Sequence, residues 1–189
     1  VPSQVSGRVL YMDQVSVKLA EEDRSVIDRG LPVTGTLTKT AVATGAELVA
    51  YSGWSSSNYL EASTFLENYG STPSICYMGW IKQSVHTNYS YIVCNQNRNS
   101  NQTTGMALHT TDGTLYVYDG VNVQKSDQVI SDGQWHQCVG IIEGKNVRMY
   151  VDGEEVHSVH IASAPDLSAI TMYGVGHFVH SGLTRLYHC

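Results

Sequence analysis

The sequence predicts an all-β protein, an antiparallel jelly-roll sandwich of two sheets. Many short stretches alternate apolar and polar residues with a period of two, which is typical of strands that bury one face. Turn dipeptides recur at intervals of about 8 to 12 residues, as in β-sandwiches. Of the 189 residues, 42% are hydrophobic and 15% charged, with 17 Gly and 12 Tyr, a composition that favours β-structure.

The clearest strands form a predicted three-stranded meander between residues 135 and 160. Residues 135–142 are rich in β-branched and aromatic side chains, and residues 147–151 alternate apolar and polar. Asp152-Gly153 is a hairpin dipeptide, because Asp and Gly tolerate the positive φ angles of tight turns. Residues 154–160 then follow as the third strand.

Further strands are predicted on both sides of this meander. Residues 74–82 are apolar on both faces, which predicts a central strand. The remaining predicted strands cover residues 33–38, 47–54, 58–63, 89–95, 106–110, 115–118, 122–130, 170–175 and 183–188. A polar stretch of eleven residues, 95–105, predicts a long loop.

Four cysteines allow two disulfides or free thiols. Three of them, Cys76, Cys94 and Cys138, lie inside apolar strand patterns, where a free Cys behaves as a small hydrophobic residue. We therefore expect free thiols, Cys189 included, as in a reducing cytosol.

The motif DGxWH at residues 132–136, followed by VxxYVDG at residues 147–153, resembles the laminin-G-like branch of the concanavalin A-like lectin/glucanase superfamily. This resemblance implies that Trp135 enters the sandwich core, and its strand position places Trp80 there as well.

A second pair of segments, residues 30–63 (GLPVTGTLTKT and onward) and residues 77–82 (YMGWIK), resembles the start of a laminin-G-like module in bacteriophage tail and tail-fibre proteins. We expect a lead-in or linker over residues 1–30 and one sandwich domain over residues 31–189.

The charge balance argues against several classes of partner. The net charge is −6 with only 11 Lys and Arg, whereas phosphate binding requires clustered cations. No apolar stretch reaches the roughly 18 residues that a membrane span needs. We expect neither nucleic-acid binding nor membrane insertion.

The sequence lacks the carboxylate pattern of glucanases in this superfamily. Such enzymes carry acidic residues spaced along one strand, as E-x-D-x-E, because hydrolysis needs a general acid and a nucleophile about 5 Å apart. Here Glu154 and Glu155 are adjacent, so they point to opposite faces of a strand. The chain is therefore predicted not to be an enzyme.

Laminin-G-like modules often bind calcium at a rim of loops, which makes Asp112 and Asp132 weak metal candidates. Each is equally well explained as a turn residue whose carboxylate caps its own backbone. The prediction is therefore no cofactor, with calcium as the alternative.

A glycan site needs aromatic faces for stacking and amides or Arg for hydrogen bonds to hydroxyls. The polar loop and its flanking strands supply both kinds of side chain, although solvated loop residues and ordinary strand tyrosines explain each residue singly. The predicted ligand-binding residues are Trp54, Tyr89, Tyr91, Asn95, Asn97, Arg98, Asn99, Tyr116 and Tyr118.

These observations predict a non-enzymatic phage virion component, made in the host cytoplasm, whose sandwich loops bind a glycan of the host surface. The predicted partners are host polysaccharide and other tail proteins, and the resemblance to tail fibres implies a homo-oligomer, a trimer. The main alternative is a virion assembly domain without a ligand. A glycoside hydrolase or a secreted lectin ranks third.

Overall fold

The computed structural model describes residues 31–46, 48–55, 57–62, 72–84, 90–96, 103–109, 111–168, 170–176, 178–180 and 183–185. The predicted lead-in over residues 1–30 lies outside these ranges, as does Cys189. The division into lead-in and sandwich therefore stays a prediction.

The described residues form strands and no helix. None of them forms a helix long and apolar enough to cross a bilayer. The strands are β1 (Val33–Thr34), β2 (Thr38–Ala41), β3 (Val49–Ser52), β4 (Tyr59–Ala62), β5 (Ser74–Lys82), β6 (Ser90–Gln96), β7 (Thr103–Leu108), β8 (Thr114–Tyr118), β9 (Val123–Val129), β10 (Trp135–Glu143), β11 (Asn146–Val151), β12 (Glu154–His160), β13 (Met172–Val175), β14 (Phe178–His180) and β15 (Leu183–Arg185).

Two antiparallel sheets build the sandwich. The larger has the strand order β1-β4-β13-β6-β7-β8-β9 and the smaller the order β12-β11-β10-β5. The hairpins β2–β3 and β14–β15 pair separately from both sheets. The predicted all-β, antiparallel, two-sheet fold is confirmed.

The predicted meander is the smaller sheet from β10 to β12. Cys138 pairs with Val151 across β10 and β11, and β11 pairs with β12 through a bulge after Met149. The turn between β11 and β12 has positive φ at both residues, 52° at Asp152 and 87° at Gly153, as a tight hairpin turn requires.

The core fills the space between the two sheets. Alternate residues of β10 and β11 point inward and are buried, because side chains on a strand alternate between its faces. They pack against the inward residues of β7 and β8. The members contributed by these four strands are Cys138, Ile142, Val147, Met149, Val151, Met106, Leu108, Leu115 and Val117.

A second buried cluster lies on the other face of the larger sheet. It contains Tyr91, Cys94, Ala107, Tyr116 and Met172. Every residue of β7 is buried, so both faces of this strand are covered. β7 is a central strand of the kind predicted for residues 74–82.

Three sequence predictions about local structure are wrong. β5 is an edge strand of the smaller sheet, not a central one. The predicted strand over residues 33–38 is two strands, β1 and β2. The long polar loop is shorter than expected, because β6 extends to Gln96 and β7 begins at Thr103.

None of the three described cysteines is in a disulfide, as expected, but their surroundings differ. Cys94 and Cys138 are buried, and burial raises the pKa of each thiol to about 12. Cys76 is exposed on the outer face of β5, so it is not the small core residue that its apolar surroundings in sequence indicated.

Two strand glycines provide a matched test of the packing between the sheets. A Cβ at Gly140 would lie 2.6 Å from Val117 Cγ2, whereas a Cβ at Gly79 would have no neighbour within 4 Å. We expect Gly140→Ala to lower the free energy of unfolding by about 1–3 kcal/mol through overpacking. Gly79→Ala should leave it unchanged or raise it by up to about 1 kcal/mol. Urea unfolding checks both, and equal losses in the two variants would contradict the packing.

Candidate functional site

The outer face of the smaller sheet exposes large apolar side chains. β5 alternates strictly, so that Ile75, Tyr77 and Ile81 point into the core. The outward side chains include Met78, which is 68% exposed, and Trp80, which is 64% exposed. Isolated exposed apolar residues are common, but two such neighbours on one strand mark a surface that is suited to an interaction.

Neighbouring strands extend this surface in register. In β10, Gln137 lies opposite Trp80 and Val139 opposite Met78, and Tyr150 of β11 lies opposite Val139 in turn. Trp135 lies on the same face as Lys82, its partner in β5. We call this surface the aromatic face, consisting of Met78, Trp80, Trp135, Gln137, Val139 and Tyr150.

Polar groups border the aromatic face on the side of β11 and β12. The Tyr150 hydroxyl donates a hydrogen bond to Glu155 Oε2 at 2.9 Å, and Arg148 Nη2 donates to Glu143 Oε2 at 2.9 Å. The bond to the Glu155 carboxylate, chiefly, raises the pKa of Tyr150. Tyr150 is therefore held as a neutral phenol, fixed in orientation beside the sheet.

One histidine links the two turns of the DGxWH and YVDG motifs. His136 Nδ1 lies 2.7 Å from Asp152 Oδ2, and Nε2 lies 3.1 Å from Asp132 Oδ1. An ionised carboxylate only accepts hydrogen bonds, so both bonds form together only when both ring nitrogens carry a proton and the imidazole is charged. Burial opposes that charge, but the bonds to the two aspartates outweigh it and raise the pKa of His136.

This arrangement, which we call the His136 clamp, also fixes the backbone. Asp152 Oδ1 accepts a hydrogen bond from the backbone N–H of Gln137 at 2.8 Å. Asp132 Oδ1 accepts one from the backbone N–H of Gln134, also at 2.8 Å. The two carboxylates thus hold the backbone on either side of Trp135. The clamp positions Trp135 and Gln137 at the end of the aromatic face.

Trp80 and Trp135 were predicted to be core residues, and the structure contradicts this. Trp80 is exposed and Trp135 is half-buried on the outer face. Residues 74–82 are nearly all apolar, so alternation did not distinguish the two sides of the strand. The available signal was Lys82, which has the same parity as Trp80 and Met78 and so marks their side as the outer one.

Two predicted ligand-binding residues, Trp54 and Asn95, are buried. Trp54 is 8% exposed, and its Nε1 donates to the Tyr51 carbonyl at 3.1 Å. Asn95 is 0% exposed, and its Nδ2 donates to the Tyr77 hydroxyl at 3.1 Å. That hydroxyl is 2.6 Å from Thr104 Oγ1. Asn95, Tyr77 and Thr104 thus form a polar contact inside the sandwich, so Asn95 does not face a surface ligand.

The predicted stacking tyrosines are also covered. Tyr91 is 6% exposed and Tyr116 is 0% exposed, and their rings meet edge to face at 6.1 Å between centroids. Tyr118 is half-buried beside them. A ring must present an open face to stack on a sugar, so the predicted platform at Tyr91 and Tyr116 is wrong. The other predicted site residues, Tyr89, Asn97, Arg98 and Asn99, lie outside the described residues.

The two weak metal candidates already have partners. Asp112 Oδ2 accepts from Lys125 Nζ at 2.6 Å, and this bond, chiefly, holds the pKa of Asp112 far below its usual range. Asp132 belongs to the His136 clamp. Within the described ranges, no three His, Cys, Asp or Glu side chains lie close enough to share a metal ion. A calcium site needs several oxygen ligands, and the calcium alternative stays a prediction.

The two antiparallel sheets and the apolar interior between them define a β-sandwich domain. The sequence profile described as the concanavalin A-like lectin/glucanases superfamily matches residues 54–177, about two thirds of the chain. The chain belongs to this superfamily. No curated protein matches the sequence.

Solved structures with a similar fold come from proteins of different kinds. Domain 4 of AbnA, an extracellular arabinanase of Geobacillus stearothermophilus solved in complex with arabinotriose, has a TM-score of 0.57 and 15% identity over 82% of this chain and 71% of that one. Domains LG4-5 of the mouse laminin alpha1 chain have a TM-score of 0.53 and 17% identity over 69% of this chain.

The chain spans 36% of that laminin structure. The binding domain of Paraclostridial Mosquitocidal Protein 1 has a TM-score of 0.51 and 13% identity, over 88% of this chain and 46% of that one. At these identities the similarity establishes the fold alone.

The His136 clamp predicts a specific pH dependence of stability. Because folding raises the pKa of His136, its contribution is complete below the unfolded value of about 6.5 and is lost as pH rises through the folded pKa. Folding lowers the pKa of Asp132 and Asp152, so their contribution is present above about 4 and is lost as pH falls.

We therefore expect His136→Gln to reduce stability most between about pH 4 and 6.5, and less at alkaline pH. Thermal unfolding of wild type and variant across pH 4–9 measures this difference. His160→Gln is the control, because His160 bonds to the neutral Asn146 side chain. A loss that is the same at every pH would rule out the charged clamp.

Proposed function

We propose that this chain is a non-enzymatic glycan-binding domain of a bacteriophage tail or tail-fibre protein. The observation that carries the proposal is the Trp80 ring, which is 64% exposed on an open sheet face. Membership of the concanavalin A-like superfamily supports carbohydrate as the ligand class. The resemblance of residues 30–63 and 77–82 to phage tail modules supports the virion context.

The aromatic face combines the two features that sugar binding requires. An indole ring with an open face stacks on the C–H surface of a pyranose, with gains of the order of 1 kcal/mol or more for aromatic contacts. The Gln137 side chain, opposite Trp80 in β10, has both amide donors and a carbonyl acceptor for neighbouring hydroxyls. A flat face of this kind suits an extended polysaccharide chain better than a single small sugar.

A non-enzymatic role fits the carboxylates beside this face. Glu155 accepts a hydrogen bond from Tyr150, and Glu143 accepts one from Arg148. Glycoside hydrolysis needs one carboxyl group held protonated and a second about 5–10 Å away across the scissile bond. Each of these two carboxylates is already bonded to a side chain of its own sheet.

In this proposal the domain acts on the surface of the virion, after synthesis in the host cytoplasm. Its partners are a host cell-surface polysaccharide and the other tail proteins, and the resemblance to tail fibres implies a homo-oligomer, a trimer. Neither nucleic acid nor membrane insertion is involved.

The loops provide a second surface for the same function. An open depression of about 390 Å³ is lined by Thr103, which lies in the stretch 95–105 that was predicted as the polar loop. Its other lining residues are Gly120, Val121, Ala164, Pro165, Asp166 and Leu167. Its walls are mostly apolar, whereas the predicted contacts of Asn97, Arg98 and Asn99 are polar, so the aromatic face is the better supported of the two surfaces.

Glycan binding is tested with the purified 189-residue chain, using immobilised bacterial surface polysaccharides and biolayer interferometry. We expect Trp80→Ala to weaken binding about tenfold or more, because the stacking surface is lost, and Trp80→Phe to retain part of it. EDTA should have no effect, since Asp112 and Asp132 are already paired.

Tyr51→Ala is the matched control, because Tyr51 is an exposed aromatic residue on the β2–β3 hairpin, which pairs separately from the sheet that carries the aromatic face. If Arg98→Ala and Asn99→Ala lose glycan binding and Trp80→Ala binds as wild type does, the binding site lies in the loop and not on the aromatic face. Absence of binding by folded, assembled protein across the panel would favour the alternative role of a virion assembly domain. The exposed Met78 side chain suits a protein contact of that kind.

A further inference from the structure

Among the described residues, no strand pairs with the outer edge of β5. Residues of an antiparallel strand direct their N–H and C=O groups alternately to the two sides. Gly144 N donates to the Pro73 carbonyl at 2.9 Å, and Asp152 N donates to the Gln137 carbonyl at 2.9 Å. These bonds show which backbone groups point where. The N–H and C=O groups of the odd-numbered residues of β5 point toward β10. Those of the even-numbered residues point to the other side, in the plane of the sheet; these residues are Ser74, Cys76, Met78, Trp80 and Lys82.

The other edges of the two sheets carry features that discourage pairing. β1 has only two residues. β9 carries Lys125 and Asp127, and a register irregularity interrupts its pairing with β8. β12 carries two glutamates and two histidines, and its pairing with β11 contains a bulge. Short edges, charges and bulges are the usual protection against edge-to-edge association.

β5 is neither short nor bulged, with nine residues in a continuous strand. Its pairing with β10 is regular from Ser74 to Lys82, and Lys82 at the end is its only charged residue. A long, regular, apolar edge of this kind is unstable as a free surface, because each unpaired N–H and C=O group offers a partner strand a hydrogen bond.

We propose that β5 pairs antiparallel with β5 of a second copy of this chain, about a two-fold axis at Met78, in place of the trimer that the resemblance to tail fibres implies. A closed two-fold interface uses the same patch on both partners. With the axis at Met78, all nine residues of one strand lie opposite the nine of the other. Each residue whose backbone N–H and C=O point away from β10 then lies opposite another such residue, so the two can exchange hydrogen bonds. The two smaller sheets then form one continuous sheet.

The strand is self-complementary in this register. Met78 meets the second Met78, Cys76 meets Trp80, and Ser74 meets Lys82. All apolar outer side chains therefore meet apolar ones, and no like charges lie opposite each other, which would be destabilising. The core residues match as well, because Ile75 meets Ile81. The occupant that this edge fits best is therefore a second copy of the same strand.

The test is sedimentation equilibrium of the full chain over a range of concentrations. We expect wild type to form dimers, and Met78→Lys to raise the dissociation constant by about a hundredfold, because two ammonium groups then meet at the axis. Val123→Lys is the matched control, since Val123 is an exposed apolar residue on the edge strand β9, and it should leave the dimer intact.

A cross-link tests the register independently. Trp80→Cys places a new thiol opposite the native Cys76 of the second copy, at the Cα separation of about 5.5 Å that a disulfide accepts. Oxidised glutathione should then yield a covalent dimer of the variant, and the same variant with Cys76→Ser should not form it.

Several results would overturn the proposal. A wild-type monomer with exchange-protected amides at Cys76, Met78 and Trp80 would assign this edge to a segment of the same chain. A trimer insensitive to Met78→Lys would place the oligomer contact elsewhere. The inference does not rest on glycan binding, because a dimer that binds no glycan, or a monomeric wild type that does bind it, distinguishes the two proposals.

Discussion

Burial between the two sheets is the constraint on which the rest of the structure depends. Gly140 lies so close to Val117 that a methyl group has no room between them, and the fully buried Ile142 and Met149 fill the same layer. Once these residues face inward, the period-two geometry of a strand forces their neighbours outward. The exposure of Trp80 and Met78 is therefore a consequence of core packing on the opposite face.

The sequence predicts those parts of the fold where the chemistry of the two strand faces differs. The meander over residues 135–160 combines alternation with a turn dipeptide, and it is confirmed in both extent and pairing. Prediction was less successful where both faces are apolar. Residues 74–82 are apolar on both faces in sequence, yet β5 has an exposed face. β7 begins inside the polar stretch 95–105, yet it is covered on both sides, and only the tertiary arrangement explains either outcome.

The candidate site was predicted less well, because residue type does not reveal which side of a strand a ring occupies. Tyr91 and Tyr116 have the chemistry for sugar stacking, but they lie in a buried cluster on the larger sheet. Trp135, by contrast, was assigned inward because of a motif. The motif has a physical basis in the clamp of His136 by two turn carboxylates, which holds the backbone and leaves the indole on the outer face.

The outward side chains and the open backbone edge of β5 belong to the same residues. In a two-fold pair, the two Trp80 rings would therefore lie on one side of a shared sheet, four residues apart along the strand direction, or about 14 Å. A polysaccharide offers repeated copies of the same unit, so a second contact forms at a high effective concentration once the first is made. Weak recognition of a single sugar would then become firm attachment to a densely coated surface through avidity.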